Sequence, residues 1–289
     1  MLTACTSGSA ESRTPVTESL QPIDDSPTAT ITDTLPASTN PPATTTAPLP
    51  TNTPLAQAIY LPDTIPQGLQ DSFEPPEGYF VSMNSSDAEF RLDTWQAGTG
   101  TAPSITWWTY ALAAPFPTIS SEVSAQDLHS SWNGQPSGPF AGLPLLMDDD
   151  TLHTFSAWWG APAEGVVQIV PIEELAATAW AQRPAWAILP FEALEPRWKV
   201  LRVDGVSPLQ RNFDPSAYAL SVPFALTSPT GSFELNLPAG NRDASQLTIV
   251  DMTGVTALVR GTALWMERYG ITYPAQDIGS ILASADLTH

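Results

Sequence analysis

The chain has 289 residues, 42% of them hydrophobic with 10 Trp and 10 Phe, so one large domain or two ordinary ones can bury sizeable cores once a tail is set aside. It carries 30 acidic against 10 basic residues, a formal net charge of -20, and Lys199 is its single lysine. Such a surface repels phosphate backbones and anionic headgroups, which excludes nucleic acid and polybasic membrane docking.

One cysteine, Cys5, leaves no internal disulfide and no pair with zinc-ligand spacing. No apolar run reaches the roughly 18 residues that span a bilayer. From Thr14 to Pro54 more than half of the residues are Thr, Ser or Pro. Pro removes backbone donors, and Thr and Ser offer little to bury, so an extended, solvated tether is expected.

Order starts near Leu55. "AIYLPDTIPQGL" and "GYFVSMNSSDAEFRLDTW" read as short strands broken by Pro and Gly, and "EFRLDTW" alternates as a half-buried strand does. "SITWWTYALAAPF" carries the strongest apolar strand signal and is ended by Pro115 and Pro117. "SEVSAQDLHSSWNG" reads as a helix capped by Ser121 or Ser124 and closed by Gly134.

"PLLMDDD" and the helix "TLHTFSAWW" follow. "GVVQIVP" is a β-branched strand that leads at once into the helix "IEELAATAWAQR". "AWAILPFEAL" and "KVLRVDGVSP" are strands joined by a short link, with "YALSVPFALT" and "SFELNLP" after them. Strands alternate with helices from Ile105 to about Val203, which predicts an α/β fold with a largely parallel sheet. The composition shifts at "PAGNRDASQ". Beyond it come the strand "LTIVDMTG", a helix ending before Gly270, a second helix over "YPAQDIGSILASA" and a buried strand begun by "ADLTH".

The search for chemistry finds no GxGxxG, Walker loop, HExxH or GxSxG. Asp148–Asp150, with His153 behind, form the densest acidic cluster. They can be read as metal-binding oxygens or as a solvated loop whose last Asp caps the next helix. The pairs Trp107-Trp108 and Trp158-Trp159 can line a pocket or pack inward, and in a strand one of two neighbours must face the core. Tyr110 and Thr118 flank the expected crossover between lobes. Tyr110, Thr118 and Trp158 are the candidate cleft residues.

Leu2-Thr3-Ala4-Cys5 resembles a bacterial lipobox, in which a signal peptide is removed before a Cys that then carries diacylglycerol. The resemblance makes residues 1–4 a signal-peptide remnant, Cys5 a lipidation site and 5–54 a tether to the membrane. The charged and apolar parts of a signal peptide do not precede it, so the sequence is expected to be cut from a longer exported protein.

"TWWTYALAAPFPTISSEVSAQDLHSSWNG" and "AWAILPFEALEPRWKVLRVDGVSPLQRNFDPSAYALSVPF" resemble the crossover and returning segments of type II periplasmic binding proteins. That implies an α/β, two-lobed domain over 55–240, lobe two being about 118–190, with a small-molecule ligand in the interlobe cleft. Residues 241–289 resemble the start of CapA-type proteins, which are linked to poly-gamma-glutamate capsule synthesis and have a metallophosphatase-like fold. In that comparison Val255 stands where the family has a metal-binding Asp, and Asp286 falls in its "ADL" strand, so no metal ligand is assigned.

The expectation is a fragment of a surface-anchored, extracellular or periplasmic lipoprotein of the CapA-like type. It would be monomeric, with no cofactor and no catalytic residue of its own, ending in the truncated start of a second α/β domain. The alternatives are a lipoprotein solute receptor of a transport system and a full-length metal-dependent hydrolase.

Overall fold

A computed structural model describes residues 56–96, 104–228, 236–254 and 258–289. Residues 1–4, Cys5, the tether, most of "SFELNLP" and Val255 lie outside the described residues.

In chain order the elements are β1 (Gln57–Tyr60), α1 (Gln67–Ser72), β2 (Tyr79–Ser82), β3 (Phe90–Thr94), β4 (Ile105–Pro115), β5 (Glu122–Val123), α2 (Ala125–Trp132), β6 (Leu145–Met147), α3 (Asp149–Trp159), β7 (Val167–Ile169), α4 (Ile172–Ala181), β8 (Trp186–Pro190), β9 (Trp198–Val200), β10 (Arg202–Val203), β11 (Ser221–Thr227), β12 (Val250–Asp251), α5 (Gly261–Tyr269), α6 (Gly279–Ser284) and β13 (Leu287–Thr288).

The main sheet has nine strands in the order β2-β1-β3-β11-β4-β8-β6-β7, with β9 also on β4. The long β4 serves both halves. Its first residues, Ile105–Thr109, pair with β11, Tyr110–Ala113 pair with β8, and Ala113–Pro115 pair with β9. The architecture is α/β and two-lobed, with β4 running from one half of the curled sheet into the other. From Trp108 to Pro115 every residue of β4 is buried, because sheet neighbours flank it and helices cover it. One continuous apolar core extends from Ile59, Leu92 and Phe224 in the first half to Leu128, Phe140 and Leu145 in the second. A smaller cluster lies beneath α4, around Leu146, Leu175, Ala179, Leu189 and Trp198.

The sheet is mixed, not largely parallel. The pairs β1-β2, β1-β3, β6-β7 and β6-β8 are parallel, whereas β4 is antiparallel to β8, β9 and β11. Parallel pairing arises where a helix carries the chain back over the sheet, as α3 does between β6 and β7, and as α4 does in bringing the chain from β7 to β8 on the other side of β6. The strands returning to β4 come in the opposite direction.

Local signals explain most of the helices. Ser124, not Ser121, caps α2: its Oγ accepts from the Asp127 N–H at 3.0 Å and donates to the Asp127 carboxylate at 2.8 Å. The first Asp of its run, not the last, caps α3, since Asp148 Oδ1 accepts from the Thr151 N–H at 3.2 Å. Asp149 and Asp150 then lie in the first turn, where the helix dipole favours negative charge. The stretch "QGLQDS" is helical rather than extended: Pro66 precedes α1 with φ already fixed, and Leu69 anchors it in the core.

Toward the C-terminus, β12 and β13 pair in parallel with α5 and α6 between them. Pro274 and Gly279 break the expected single helix into a short 3-10 turn, Tyr273–Ala275, and α6. The "ADLTH" strand is exposed rather than buried, with Leu287 59% accessible.

Candidate functional site

The point where β4 passes from one half-sheet to the other is Thr109-Tyr110. Asn241, far along the chain, clamps it. The Thr109 N–H donates to Asn241 Oδ1 at 2.7 Å, and Asn241 Nδ2 donates back to Thr109 O at 2.8 Å. The same amide group donates to Glu192 Oε2. Glu192 follows β8, and its Oε1 approaches Gly68 of α1 so closely that a Cβ there would lie 3.3 Å away.

At the same end of α1, Asp150 of α3 receives the backbone N–H of Gln67, the first residue of α1, with both oxygens at 3.2 and 3.3 Å. Thr154, a turn further along α3, donates its hydroxyl to Thr64 O at 3.2 Å. The seam between the halves is therefore closed by the chain's own side chains.

Tyr110 lies within this seam, fully buried, its ring edge-on to Phe155 at 4.9 Å. Its hydroxyl stands beside Thr154 but meets no hydrogen-bond partner of good geometry among the described residues. Burial holds its pKa well above the ordinary tyrosine value, and the nearby carboxylates Asp150, Glu192 and Asp148 add to that. Burial also raises the pKa of Asp150 against the opposing Gln67 hydrogen bond, and raises that of Glu192 against its hydrogen bonds. No cluster of three or more His, Cys, Asp or Glu suited to a metal occurs among the described residues.

A second feature lies where β3, β4 and β11 face the ends of α2 and α3. Trp95, Trp107, His129, Trp158, Trp159 and Ser221 line a cavity of about 420 Å³, a volume in the range of small-molecule sites. The period of the strand places these groups. Trp108 points into the core while its neighbour Trp107 faces the cavity. The Trp95 backbone N–H donates to Pro223 O at 2.8 Å, holding the end of β3 against β11. At the end of α3, Trp159 packs on Phe155 at 4.5 Å, on Trp132 at 5.4 Å and on the His129 ring at 4.2 Å. Burial depresses the His129 pKa, so its imidazole is neutral at pH 7. Among the described residues, no Asp, Glu, Lys or Arg lines this cavity.

Trp107 also borders a neighbouring cavity of about 320 Å³ that contains Arg242. The guanidinium there is engaged. It donates to Pro208 O from Nε and to Gln210 O from Nη2, and it sits 4.8 Å from the Phe213 ring centre.

The three cleft residues read from the sequence fall in three places. Trp158 lines the tryptophan cavity, Tyr110 is in the sealed seam, and Thr118 lies beyond the end of β4. Thr118 serves structure through its carbonyl, which accepts from Lys199 Nζ at 2.7 Å. Asp286 is paired with Arg211 at 2.5 Å and accepts the Ile249 N–H at 2.8 Å. Sequence reasoning missed Trp95, His129 and Asn241. The first two carry no local signal beyond being aromatic, and Asn241 acts across the whole domain.

No protein-family model and no curated protein matches the chain. Among solved structures, the chain is similar to an ABC-type phosphate transport receptor from Vibrio cholerae, at 11% identity over 59% of this chain and 85% of that one, with a TM-score of 0.45. It is similar to PstS from Borrelia burgdorferi, at 10% identity over 61% and 87%, TM-score 0.43. OxyR from Corynebacterium glutamicum gives 11% identity over 63% and 61%, TM-score 0.31.

Proposed function

We propose that residues 55–240 form a solute-binding module that holds a small molecule and carries out no chemistry on it. The observation that supports this is the tryptophan-lined cavity of about 420 Å³, built by strands of one half and helices of the other. Aromatic walls with a few polar groups are the usual lining of small-ligand sites. The seam at Tyr110 suits a ligand less well, since it is closed by Asp150 and Gln67 and by Glu192 and Asn241.

Phosphate, the solute in the name of the Vibrio cholerae receptor, is a poor fit to either place. At the seam it would meet Asp148, Asp150 and Glu192, and among the described residues no cationic side chain lines the tryptophan cavity.

A solute screen by thermal shift tests the module reading, because a ligand that binds only the native state raises Tm by mass action. Saturable stabilisation by at least one small solute is the expected result. No shift across neutral, anionic and cationic solutes would overturn the reading.

In the same proposal Cys5 is a lipid anchor, residues 5–54 are the tether, and the module works on an extracytoplasmic face. No helix among the described residues is long and apolar enough to cross a membrane. Mass spectrometry of the protein isolated from its host checks the anchor, with a diacylglycerol adduct on Cys5 expected and an unmodified thiol counting against it.

The CapA-like reading of 241–289 rests on the sequence resemblance alone, and the topology of this segment is common to many α/β domains. The β12-α5-α6-β13 arrangement is a parallel strand pair joined through helices, as an α/β domain would begin. An Asn-x-Glu after residue 289 in the genomic reading frame is expected on that reading, and its absence would remove it.

A further inference from the structure

We infer that the tryptophan cavity takes a neutral carbohydrate. This rests on the solute-binding reading above and names the class of solute. Three observations lead there.

Among the described residues the lining has no charged side chain, although the chain has 30 acidic and 10 basic residues to draw on. An anion would find no Arg or Lys, and a cation would find aromatic faces but no carboxylate. An uncharged solute loses nothing by this.

The lining is also split between apolar faces and unused polar atoms. The core indoles of Trp132 and Trp186 donate to Gly160 O at 2.8 Å and Pro139 O at 3.0 Å. The indole N–H groups of Trp95, Trp107, Trp158 and Trp159 have no hydrogen bond to any described residue. A tryptophan with a free N–H at a cavity presents a broad apolar face and a donor at its edge. A pyranose ring has the matching surface, with C–H groups on its face and hydroxyls around its rim.

The third observation is His129. Held neutral and packed against Trp159 at 4.2 Å, its imidazole has one donor and one acceptor nitrogen, which suits hydroxyl groups rather than an ion. Inorganic phosphate has no apolar face to set against the indoles, and a quaternary ammonium has no use for the indole and imidazole edges.

The test titrates the full chain with glucose, maltose, cellobiose and N-acetylglucosamine, following tryptophan emission and calorimetric heat. Sodium phosphate and tetramethylammonium chloride are titrated in parallel. A saturable response to at least one saccharide is expected, and Trp158→Ala should weaken it about tenfold or more, as loss of a central aromatic contact does. Trp180→Ala, on the exposed face of α4 and outside the cavity, should leave it unchanged.

If phosphate or tetramethylammonium binds and no saccharide does, the carbohydrate inference falls while the solute-binding reading stands. If none of the probes binds, both fall. If a saccharide binds with equal affinity to a folded Trp158→Ala, the site assignment falls. Should Trp158→Ala fail to fold, Trp158→Phe keeps a ring and removes the N–H. It should weaken saccharide binding too, and unchanged affinity would overturn the hydrogen-bonding role.

Discussion

Asp150 and Gln67, 83 residues apart in the chain, are joined by a hydrogen bond from the Gln67 backbone N–H to both oxygens of the Asp150 carboxylate, at 3.2 and 3.3 Å. The contact ties the first turn of α3 to the start of α1 and so holds the two halves together. It is made by a charged group at a partly desolvated place, with Asp148 and Asp149 as like-charged neighbours.

The pH dependence follows from the direction of that shift. The Asp150 pKa is raised on folding, chiefly by burial. Between the unfolded and folded values the native state binds more protons, so this group's contribution falls as pH rises through that window and is flat above it. An amide oxygen can accept the same N–H without a charge. Asp150→Asn is therefore expected to raise Tm at pH 7, with the gain shrinking as pH falls toward the ordinary aspartate value, about 3.9. Thermal melts of parent and variant from pH 3.5 to 8 check this. The parent's own loss of stability in acid has other sources, among them Asp214 and Asp286, whose pKa values are lowered by Ser216 and Arg211. A variant less stable than the parent at pH 7 would show that the charge itself is needed.

Tyr110→Phe removes a hydroxyl that is fully buried and has no hydrogen-bond partner among the described residues. An unsatisfied buried polar group costs on the order of 1–3 kcal/mol. The ring contact with Phe155 at 4.9 Å stays. Urea unfolding should show Tyr110→Phe equal to the parent or more stable by up to about that amount. A clear loss of stability would mean that the hydroxyl is satisfied in solution, by water or a ligand in the seam.

What could be read from the sequence was whatever is local. The β4 strand shows in its apolar run and in the prolines that end it. The helix α2 shows in Ser124 and Asp127, and the splitting of Trp107 from Trp108 follows from the two-residue period of a strand. The direction in which strands return to β4 is set by contacts far apart in the chain, and so the alternation of strands and helices predicts a largely parallel sheet where the sheet is mixed. The same holds for the site. Trp158 was singled out, but its cavity is completed by Trp95, Trp107 and His129 from other segments. No periodicity joins Asn241 to Thr109 across 132 residues. Tyr110 lies where β4 passes between the half-sheets, yet its being sealed there depends on Asp150 and Glu192, whose side chains arrive from other elements.

Asn241→Asp tests the clamp at the crossover. The amide accepts from the Thr109 N–H and donates to Thr109 O and to Glu192. A carboxylate keeps the first bond and loses both donations, and it sets a like charge against Glu192. A destabilisation of about 1–3 kcal/mol is expected at pH 7, in the range for a broken part-buried hydrogen-bond network. Part of it should be recovered on acidification, as one of the two carboxylates takes a proton. Denaturant midpoints at pH 5 and pH 7.5 check the sign, and Glu192→Gln in the same background should relieve the defect.

Gly240→Ala tests whether the segment that carries Asn241 also shapes the two cavities. A Cβ at Gly240 would lie 2.1 Å from the carbonyl oxygen of Trp107 and 3.3 Å from its carbon. The Trp107 backbone cannot yield easily, because Trp107 pairs with Pro223 within the sheet. The 237–242 segment must move instead, and with it Asn241 and Arg242. Overpacking of this kind costs about 1–3 kcal/mol. The control is Gly279→Ala, where a Cβ would meet nothing within 4 Å, and there stability should hold or rise slightly, because glycine in a helix is the costlier residue. Trp107 lines both cavities, so Gly240→Ala should also shift tryptophan emission and weaken any ligand of the tryptophan cavity, whereas Gly279→Ala should do neither. Equal behaviour of the two variants would mean that the segment passes over β4 without bracing it.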